Sequence, residues 1–443
     1  MNIILLSGGS GKRLWPLSND IRSKQFIKIF RDSDGDGEYE SMLQRMYMGI
    51  RKEDPEATIT VATSRSQIST IYNQIGRDVS ISVEPCRRDT FPAIALASVY
   101  LHDVCRVGLD EPVVVCPVDP FVDSQYFKAL AKLSELAAAG KSNLTLLGME
   151  PTYPSEKYGY IIPDSKDEVS GVREFKEKPD EATARDYISK GALWNGGIFA
   201  YKLGYVIDRA HELIDFKRSD DFFANYEKVT KISFDYAVVE KEKSISVLRF
   251  SGIWKDLGTW NTLTEAMDEN IVGNGVLADT CENVHIINSL DVPVLALGLK
   301  NAVISASPDG ILVSDKNESS YIKPYVDKFD QPIMFAEKSW GSYQVIDVEN
   351  ESMTIKVTLN PGKRMNYHSH EHRAESWNII EGTGVVVIDG KFRDVGPGDA
   401  IMIRPGEKHS IIASTRLQVI EVQLGKDIDV HDKIKYDFPE RNR

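Results

Sequence analysis

The chain has 443 residues, of which 42% are hydrophobic and 27% are charged, and its formal net charge is −13. This length exceeds a single ordinary core and predicts two or three domains, while the acidic balance makes nucleic acid and anionic membrane poor partners, so we expect neither. Four scattered cysteines without a CxxC pair, and an apolar N-terminal run too short for a signal peptide or a membrane span, favour a cytoplasmic protein.

The first part of the chain alternates short apolar runs with helical patterns. Continuous apolar runs bounded by turn residues are typical of buried strands, and helical stretches separate several of them. The predicted strands are residues 2–6, 58–62, 113–116, 144–147 and 198–201, and the predicted helices are residues 39–50, 92–104 and 126–139. This alternation predicts an α/β domain with a mostly parallel sheet over residues 1–269.

The pattern changes after residue 269. Short apolar runs at residues 284–287, 294–297, 302–305 and 311–313 have no helical pattern between them and predict a short β-solenoid over residues 270–320. Its open edges favour a homodimer. Residues 321–338, which contain two prolines, predict a linker. Residues 339–443 are rich in strands and Pro-Gly turns, which predicts an all-β barrel.

A glycine-rich loop follows the first predicted strand. It reads SGGSGKR over residues 7–13, and a KQF tripeptide begins at Lys24. Glycines allow backbone N–H groups to approach a phosphate, and Lys12, Arg13 and Lys24 add positive charge. The pattern matches neither the P-loop nor the GxGxxG fingerprint. The alternative is a turn that only joins a strand to a helix, but the adjacent basic residues favour a phosphate site.

Further motifs follow in order along the chain. They are EPCRRDTFPAIA from residue 84, VCPVDP from 115, YGYI from 158, EKP from 177, WNGGIF from 194, FDYA from 234 and WKDLGTW from 254. Together with GGSGKRLWPLS and KQF, they resemble the motifs of the mannose-1-phosphate guanylyltransferases, a branch of the sugar-nucleotide pyrophosphorylases. The resemblance covers residues 1 to about 260 and implies a Rossmann-like nucleotidyltransferase domain of the GT-A type.

The resemblance implies a reaction and a set of residues. A sugar-1-phosphate oxygen attacks the α-phosphorus of the nucleotide and pyrophosphate leaves, with GTP and mannose-1-phosphate as the implied substrates. Such transfers depend on positioning and charge neutralisation. The implied catalytic residues are Arg13 and Lys24 at the phosphates, and Asp119 and Asp256 as ligands of one Mg²⁺. The implied nucleotide contacts are Leu6, Gly8, Gly9, Gly11, Lys12, Glu84, Pro85, Arg88, Asp89 and Thr90, and the implied sugar-phosphate contacts are Tyr158, Gly159, Glu177, Lys178, Asn195 and Gly196.

Three positions depart from the family pattern. Lys12 stands where Thr is usual, Asp89 where Asn is common, and Gly196 where Ser is common. Because the last two concern the base and sugar regions, another sugar-1-phosphate, such as a heptose-1-phosphate, or another nucleotide is an alternative substrate. A non-catalytic sugar-nucleotide sensor is a further alternative, but a pure binding protein has no need for both Asp119 and Asp256.

A histidine-rich motif marks the C-terminal part of the chain. His368 and His370 lie two residues apart, so on a strand they face the same side. Glu375 and His409 can join them from other strands, which gives a donor set suited to Zn²⁺, Fe²⁺ or Mn²⁺. A run of surface histidines is the alternative, and His372 is not assigned as a ligand because it lies nearer the turn.

The spacing of these donors resembles the cupin motifs, and cupins are double-sheet barrels. The region also resembles the type II phosphomannose isomerase domain that often follows a guanylyltransferase. This makes a bifunctional enzyme, which also interconverts fructose-6-phosphate and mannose-6-phosphate, an alternative. Such an isomerase holds the open-chain sugar on a metal and needs a nearby base. The departures are His368 in place of Gln, Ser376 in place of His, Arg404 in place of Pro, and a poorly matching C-terminal segment.

Overall fold

The computed structural model describes residues 1–9, 12–19, 21–31, 37–329, 332–426, 428 and 432–440. By packing, the chain divides into two compact units. The first comprises Met1–Gly11 and Ser23–Asp268, and the second comprises Lys12–Arg22 and Glu269–Arg443. The chain therefore passes from one unit to the other after residues 11, 22 and 268. Among the described helices, none is both long and apolar enough to cross a bilayer.

The first unit contains thirteen strands and eight α-helices within its described residues. The strands are β1 (Asn2–Ser7), β2 (Phe30–Arg31), β3 (Tyr39–Glu40), β4 (Thr58–Ser64), β5 (Ser80–Glu84), β6 (Pro112–Pro117), β7 (Pro120–Val122), β8 (Leu144–Met149), β9 (Gly159–Pro163), β10 (Val169–Lys176), β11 (Leu193–Lys202), β12 (Ile245–Phe250) and β13 (Trp254–Asp256). The helices are α1 (Met42–Glu53), α2 (Ile68–Ile75), α3 (Thr90–Asp103), α4 (Ser124–Ala139), α5 (Glu181–Ser189), α6 (Leu203–Ala210), α7 (Ser219–Asn225) and α8 (Trp260–Thr264).

A nine-stranded sheet organises this unit, in the order β5-β4-β1-β6-β11-β8-β12-β10-β9. Strands β5, β4, β1 and β6 are parallel to one another, and β8 is parallel to β12. Strand β11, however, is antiparallel to both β6 and β8, and β9 and β10 form an antiparallel pair. The predicted α/β class is confirmed, but the sheet is mixed and not mostly parallel. Continuous apolar runs mark buried strands without giving their direction.

The apolar runs form strands because both faces of the sheet are covered. Ile3, Ile4 and Leu5 of β1 are fully buried, and so are Val113 to Cys116 of β6. Helix α3 contacts β1, β4 and β5 as well as α6 and α7, which explains why it is apolar on almost every face. The core of this unit therefore lies on both sides of its parallel strands.

One predicted helix, residues 39–50, begins later than expected. Tyr39–Glu40 pairs with Phe30–Arg31 as a short antiparallel ladder. Ser41 then accepts a hydrogen bond from the Gln44 backbone N–H, and the Gln44 side chain accepts one from the Ser41 backbone N–H. This capping box starts α1 at Met42.

The second unit contains seventeen strands and one α-helix within its described residues. They are β14 (Ile271–Gly273), β15 (Gly275–Leu277), β16 (His285–Asn288), β17 (Val294–Ala296), β18 (Ala302–Ser307), β19 (Gly310–Asp315), α9 (Lys323–Val326), β20 (Phe335–Lys338), β21 (Gly341–Val348), β22 (Ser352–Leu359), β23 (His368–Ser369), β24 (Ala374–Glu381), β25 (Gly384–Ile388), β26 (Lys391–Val395), β27 (Ala400–Ile403), β28 (His409–Ala413), β29 (Leu417–Leu424) and β30 (Ile434–Lys435).

The first strands of this unit stack as a short solenoid. Strands β14, β16 and β18 pair in parallel, β15 pairs in parallel with β17, and β19 closes the stack as an antiparallel partner of β18. Residues 12–22 pack with this unit. Ser307 Oγ donates to the Pro16 carbonyl oxygen at 2.7 Å, and Asn19 Nδ2 donates to Asp309 Oδ2 at 2.8 Å.

The remaining strands form a barrel of two sheets. One sheet has the order β20-β21-β22-β29-β24-β27, and the other has the order β26-β25-β28-β23-β30. Their inward side chains form one core that includes Trp377. This double-sheet arrangement confirms the predicted cupin barrel. The residues predicted as a linker, 321–338, instead contain α9 and β20, and β20 pairs with β21. A four-residue strand is too short to stand out beside two prolines in the sequence.

Candidate active site and metal centre

Two carboxylates and a lysine meet just after β6. Strands β7 and β13 form an antiparallel pair in which Asp256 lies opposite Pro120, the residue after Asp119. Lys24 Nζ lies 2.8 Å from Asp119 Oδ2 and 3.5 Å from Asp256 Oδ1. The structure thus brings together three of the four residues that the resemblance implies as catalytic.

The lysine neutralises this acidic cluster. Burial opposes its charge, but Asp119 and Asp256 outweigh burial and raise the pKa of Lys24. Because both carboxylates reach the same nitrogen, they lie close enough to share one cation, and Mg²⁺ takes carboxylate oxygens as ligands. A methyl group on Gly258 would lie 3.3 Å from both oxygens of Asp256, so the glycine leaves that carboxylate room to approach a metal. These residues therefore fit a Mg²⁺ site.

The glycine loop lies beside a carboxylate at the end of β5. A methyl group on Gly8 would face Glu84 Oε1 at 3.9 Å, and the Tyr226 hydroxyl donates to Glu84 Oε2 at 2.9 Å. Burial raises the pKa of Glu84. Pro85 occupies the bend that follows, and Leu6 is the last residue of β1 that pairs with β6. The implied nucleotide contacts at these four positions are therefore neighbours in the structure.

The rest of the glycine loop divides between the two units. The carbonyl oxygen of Gly9 accepts a 2.8 Å hydrogen bond from a serine hydroxyl of the first unit. Gly11 lies outside the described residues. Lys12 and Arg13 belong to the second unit by packing, where Lys12 Nζ lies 3.5 Å from Asp327 Oδ1. The grouping of Lys24 with its two carboxylates therefore stands on residues of the first unit alone.

The start of α3 has an unusual backbone. Asp89 has a φ of +73°, which is rare for a residue other than glycine, and its carboxylate accepts from the Thr90 backbone N–H at 2.8 Å. Thr90 Oγ1 accepts from the Phe234 backbone N–H at 2.9 Å. The Arg88 guanidinium donates to the Glu227 carbonyl oxygen. The implied nucleotide contact Thr90 is thus joined by a direct hydrogen bond to the FDYA segment.

A second polar cluster gathers most of the implied sugar contacts. Gly159 of β9 lies opposite Asn195 of β11 in the sheet. A methyl group on Gly159 would lie 2.5 Å from Glu177 Oε2, and the other oxygen of Glu177 forms an ion pair with Lys178. Asn195 Nδ2 donates to Asp235 Oδ1 at 2.6 Å. The cluster therefore offers an ammonium group for a phosphate and several oxygens for hydroxyl groups.

Backbone strain and steric closure shape the edges of this cluster. Lys178 has a φ of +44°, and its Nζ folds back on Glu177. Burial opposes the charge of Lys178, but Glu177 and Asp235 together outweigh burial and raise the pKa of Lys178. At Gly196, a methyl group would lie 3.0 Å from Met149 Cε and 3.4 Å from the Trp254 ring. The space of a serine side chain is already filled, which accounts for glycine at this position.

Asp235 belongs to this polar cluster but has no role assigned from the sequence. It begins a π-helical turn, Asp235–Val239, a feature often found at functional sites. Burial and the neighbouring Glu177 raise the pKa of Asp235 to about 6, against opposition from its hydrogen bond with Asn195. The FDYA motif could have pointed to Asp235, because the motif carries the family resemblance. The motif alone does not indicate that Asp235 contacts the sugar.

An aromatic group connects the sugar cluster with the metal carboxylates. The Tyr158 ring lies 4.9 Å from the Trp194 ring and 5.5 Å from the Trp254 ring, centroid to centroid. Burial and the nearby Asp256 raise the pKa of Tyr158. Trp254 and Asp256 share β13, so the Tyr158 ring lies between the two clusters within the first unit.

The barrel brings together the four predicted metal ligands. The candidate donor atoms of His368, His370 and His409 lie within 4.8 Å of one another, and all three residues are buried. Each histidine has Nδ1 within 3.0 Å of a backbone carbonyl oxygen. A carbonyl oxygen only accepts, so each Nδ1 carries the hydrogen and each Nε2 keeps its lone pair for a metal.

The fourth donor makes the case for a cation stronger. Glu375 Oε1 lies 3.1 Å from His370 Nε2, and Glu375 Oε2 lies 3.3 Å from His409 Nε2. With Nδ1 protonated on each ring, these are contacts between two acceptors, which repel unless a cation or a further proton lies between them. The buried His409 Nε2 has no hydrogen-bond partner among the described residues. The set therefore fits Zn²⁺, Fe²⁺ or Mn²⁺.

Several polar residues of the barrel were not assigned from the sequence. Arg373 contacts both His370 and Glu375. The Asp432 carboxylate accepts from the backbone N–H of His372, whose side chain is 64% exposed and stands apart from the ligand set. A cavity of 580 Å³ adjoins the set and is lined partly by Arg373, Trp377, Glu421, Gln423 and Lys433. Sequence spacing alone does not show which inward side chains of different strands share one cavity.

Comparison with known proteins identifies the first part of the chain. Residues 2–271 match the model of the nucleotidyl transferase family. The chain belongs to this family. Residues 330–437 match the model described as mannose-6-phosphate isomerase C-terminal. The resemblance predicted from the motifs is confirmed over both parts of the molecule.

Relatives match this nucleotidyl transferase over nearly its whole length. The xanthan biosynthesis protein XanB of Xanthomonas campestris pv. campestris (strain B100) is 30% identical over 98% of this chain and 97% of that protein. A putative mannose-1-phosphate guanylyltransferase of Vibrio cholerae serotype O1 is 29% identical over 98% of this chain and 99% of its own. The crystal structure of mannose-1-phosphate geranyltransferase from Thermus thermophilus is 27% identical, with a TM-score of 0.61 over 74% of this chain and 98% of that chain.

Proposed function

We propose that this nucleotidyl transferase moves a guanylyl group from GTP to mannose-1-phosphate, giving GDP-mannose and pyrophosphate. The observation that carries the proposal is the meeting of Lys24, Asp119 and Asp256 beside a polar cluster suited to a sugar phosphate. Relatives named as mannose-1-phosphate guanylyltransferases support this choice of substrates, and the name of XanB supports a role in polysaccharide biosynthesis. We expect such an enzyme in the cytoplasm.

The chemistry needs charge neutralisation at the phosphates. Asp119 and Asp256 would hold Mg²⁺, which supplies positive charge to the phosphate oxygens when it is bound. Lys24, kept protonated by the two carboxylates, would face the α-phosphate and the leaving pyrophosphate once these displace it from the acidic cluster. The family resemblance implies Arg13 as a further positive charge for phosphates.

The sugar phosphate needs both charge and hydrogen-bond acceptors. Lys178 would pair with its phosphate, exchanging the Glu177 carboxylate for a dianion. Glu177, Asn195 and Asp235 would accept hydrogen bonds from sugar hydroxyl groups, and the Asn195 amide is already oriented by Asp235. The phosphate oxygen of mannose-1-phosphate, which is the nucleophile, and the Mg²⁺ would then lie on either side of Tyr158.

The test is pyrophosphate release with Mg²⁺ across nucleoside triphosphates and sugar-1-phosphates. We expect a maximum at GTP with mannose-1-phosphate. Asp119→Asn and Asp256→Asn should each lower the rate by about 10²–10³-fold, because one metal ligand is lost, while Asp110→Asn, at a side chain 98% exposed, should not change it. A maximum with a heptose-1-phosphate or another nucleotide would move the substrate assignment. Absence of release in every combination would favour the sensor.

A second function is favoured by the His–Glu set and its adjoining cavity. We propose that the barrel binds Zn²⁺, Fe²⁺ or Mn²⁺ through His368, His370, Glu375 and His409 and interconverts mannose-6-phosphate and fructose-6-phosphate. A chelator should abolish this isomerisation and leave Mg²⁺-supported pyrophosphate release intact after Mg²⁺ is restored. Lack of isomerisation with each of the three metals would limit the barrel to binding.

A further inference from the structure

Arg373 contacts two of the four proposed metal ligands in the barrel. Its Nε donates to Glu375 Oε1 at 3.0 Å, and its Nη2 donates to His370 Nε2 at 3.0 Å. The side chain is only 9% exposed. The guanidinium thus contacts, at the same time, two of the atoms that are available to a metal.

His370 Nε2 cannot accept a hydrogen bond from Arg373 and bind a metal at the same time. The Nδ1 of this ring points to the Asp432 carbonyl oxygen and therefore carries the hydrogen. A neutral imidazole then has a single lone pair, at Nε2, and that lone pair accepts the hydrogen bond from Arg373. It cannot bind a metal until Arg373 withdraws. Charge repulsion between a divalent cation and the guanidinium acts in the same direction.

We propose that Arg373 is an internal cation that competes with the metal for His370 and Glu375, and that metal binding transfers its guanidinium to Glu421 in the adjoining cavity. Without a cation, the Glu375 oxygens and the imidazole lone pairs face each other at 3.1 and 3.3 Å. Arg373 relieves this repulsion at His370, and it therefore stabilises the metal-free barrel at the expense of metal affinity.

The cavity provides a destination for the displaced side chain. Arg373, Glu421, Gln423 and Lys433 all line it. Glu421 is 4% exposed, and its Oε1 accepts from Gln423 Nε2 at 2.6 Å. Glu421 interacts electrostatically with Glu375, Arg373 and Lys433. A guanidinium can provide two N–H donors to such a carboxylate. Metal binding and the charge distribution of the cavity are coupled in this way.

The test is a metal titration of the full chain. Co²⁺ binding to the metal-stripped protein is followed by calorimetry and by its visible absorption, with excess Mg²⁺ present to fill the carboxylate site of the first unit. We expect Arg373→Met to tighten Co²⁺ binding by about ten- to a hundredfold, the value of one charge-assisted hydrogen bond. Arg416→Met, at an exposed arginine that pairs with Glu381, is the matched control and should leave the affinity unchanged.

Arg373→Lys keeps the proposal open to refutation if Arg373→Met does not fold, and Glu421→Gln adds a second test where it does. Arg373→Lys retains the positive charge but loses the planar guanidinium that donates to both His370 and Glu375. Its Co²⁺ affinity should therefore lie between those of the unmodified chain and Arg373→Met. Glu421→Gln should weaken Co²⁺ binding in the unmodified chain but not in the Arg373→Met background. Unchanged or weaker Co²⁺ binding by the Arg373 variants would overturn the competition. A metal-bound crystal structure that retains the Arg373–His370 hydrogen bond would overturn it independently.

Discussion

Asp235 and Glu177 place two carboxylates beside one lysine in the sugar cluster. A buried acid with a raised pKa holds its proton in the folded chain at pH values where the unfolded chain has lost it. The charge of Asp235 therefore lowers the free energy of unfolding as pH rises from its ordinary pKa of 3.8 through about 6. Such a cost at a polar cluster is typical of a residue kept for binding.

Asp235→Asn tests this cost. The amide keeps the acceptor for Asn195 and removes the charge, so the variant should gain thermal stability over the unmodified chain as pH rises from about 4 to about 7, with little change above. The gain should be about 3 kcal/mol at most, because the pKa shift from 3.8 to about 6 is worth about 1.4 kcal/mol per unit. The Michaelis constant for mannose-1-phosphate should nevertheless rise about tenfold. Asp110→Asn, an exposed aspartate, should show neither effect; a pH-independent Asp235→Asn difference would contradict the account.

Gly159 offers a steric test of the same cluster. A methyl group there would lie 2.5 Å from Glu177 Oε2 and 3.0 Å from the Phe175 ring. Gly159→Ala should therefore displace the Glu177 carboxylate and raise the Michaelis constant for the sugar phosphate about tenfold, with little change for GTP. Gly396→Ala, where the nearest atom would be 4.0 Å away, is the control. Equal kinetics for both variants would remove Glu177 from the sugar site.

The sequence motifs predicted the residues whose type alone suggests a role, such as a carboxylate for a metal or a lysine for a phosphate. They did not predict residues whose role depends on which side chains surround them in the fold. Lys24, Asp119 and Asp256 lie in segments that carry the family resemblance, and they meet in the structure. Asp235 also lies in such a segment, but its importance comes from Asn195 and Glu177, which are distant in the sequence. Arg373 lies between two predicted ligands but is not itself a type of residue that binds metals. Nothing in the spacing of a sequence indicates that an arginine will share its acceptors with a metal site.

Helix α3 begins from a strained residue. The φ of +73° and ψ of −176° at Asp89 cost a residue with a side chain about 1–3 kcal/mol, which glycine avoids. The carboxylate offsets part of that cost through its bond to the Thr90 N–H. Asp180, which caps α5 with an ordinary φ of −66°, has no such strain.

Substitutions at these two caps separate backbone strain from the loss of a hydrogen bond. Asp89→Gly should be more stable than Asp89→Ala, and that difference should exceed the difference between Asp180→Gly and Asp180→Ala by about 1 kcal/mol. Thermal unfolding of the four variants measures both differences. Equal differences at the two sites would show that the left-handed backbone of Asp89 relaxes when its side chain is removed.

Strand positions were predictable where burial is continuous, and strand directions were not. The predicted strands at the start of β1, β4, β6 and β8 are all present, because residues covered on both faces must be apolar. Strand β11 lies antiparallel between β6 and β8. Its direction depends on the path of the chain between strands, which the apolar pattern does not encode. Likewise, Tyr39–Glu40 forms a short strand and not the first turn of the predicted helix, because it pairs with Phe30–Arg31.

At the scale of the whole molecule, the homodimer predicted from the solenoid stays a prediction. Strand β19 is the last strand of its sheet and exposes Ile311 and Val313. Antiparallel pairing of two copies of such a strand would be self-complementary about a twofold axis. Sedimentation should give twice the chain mass of 49.7 kDa, and Val313→Lys should shift the protein toward the monomer. A monomer mass for the unmodified chain at micromolar concentration would contradict it.

The connectivity of the two units has a consequence for their unfolding. Residues 12–22 leave the first unit within its glycine loop, pack with the second unit, and return to the first just before Lys24. Unfolding of the second unit releases residues 12–22. The C-terminal end of the glycine loop is then no longer held, even if the nine-stranded sheet of the first unit stays folded. The chain connects the two units after residues 11, 22 and 268, so they are not joined by a single linker.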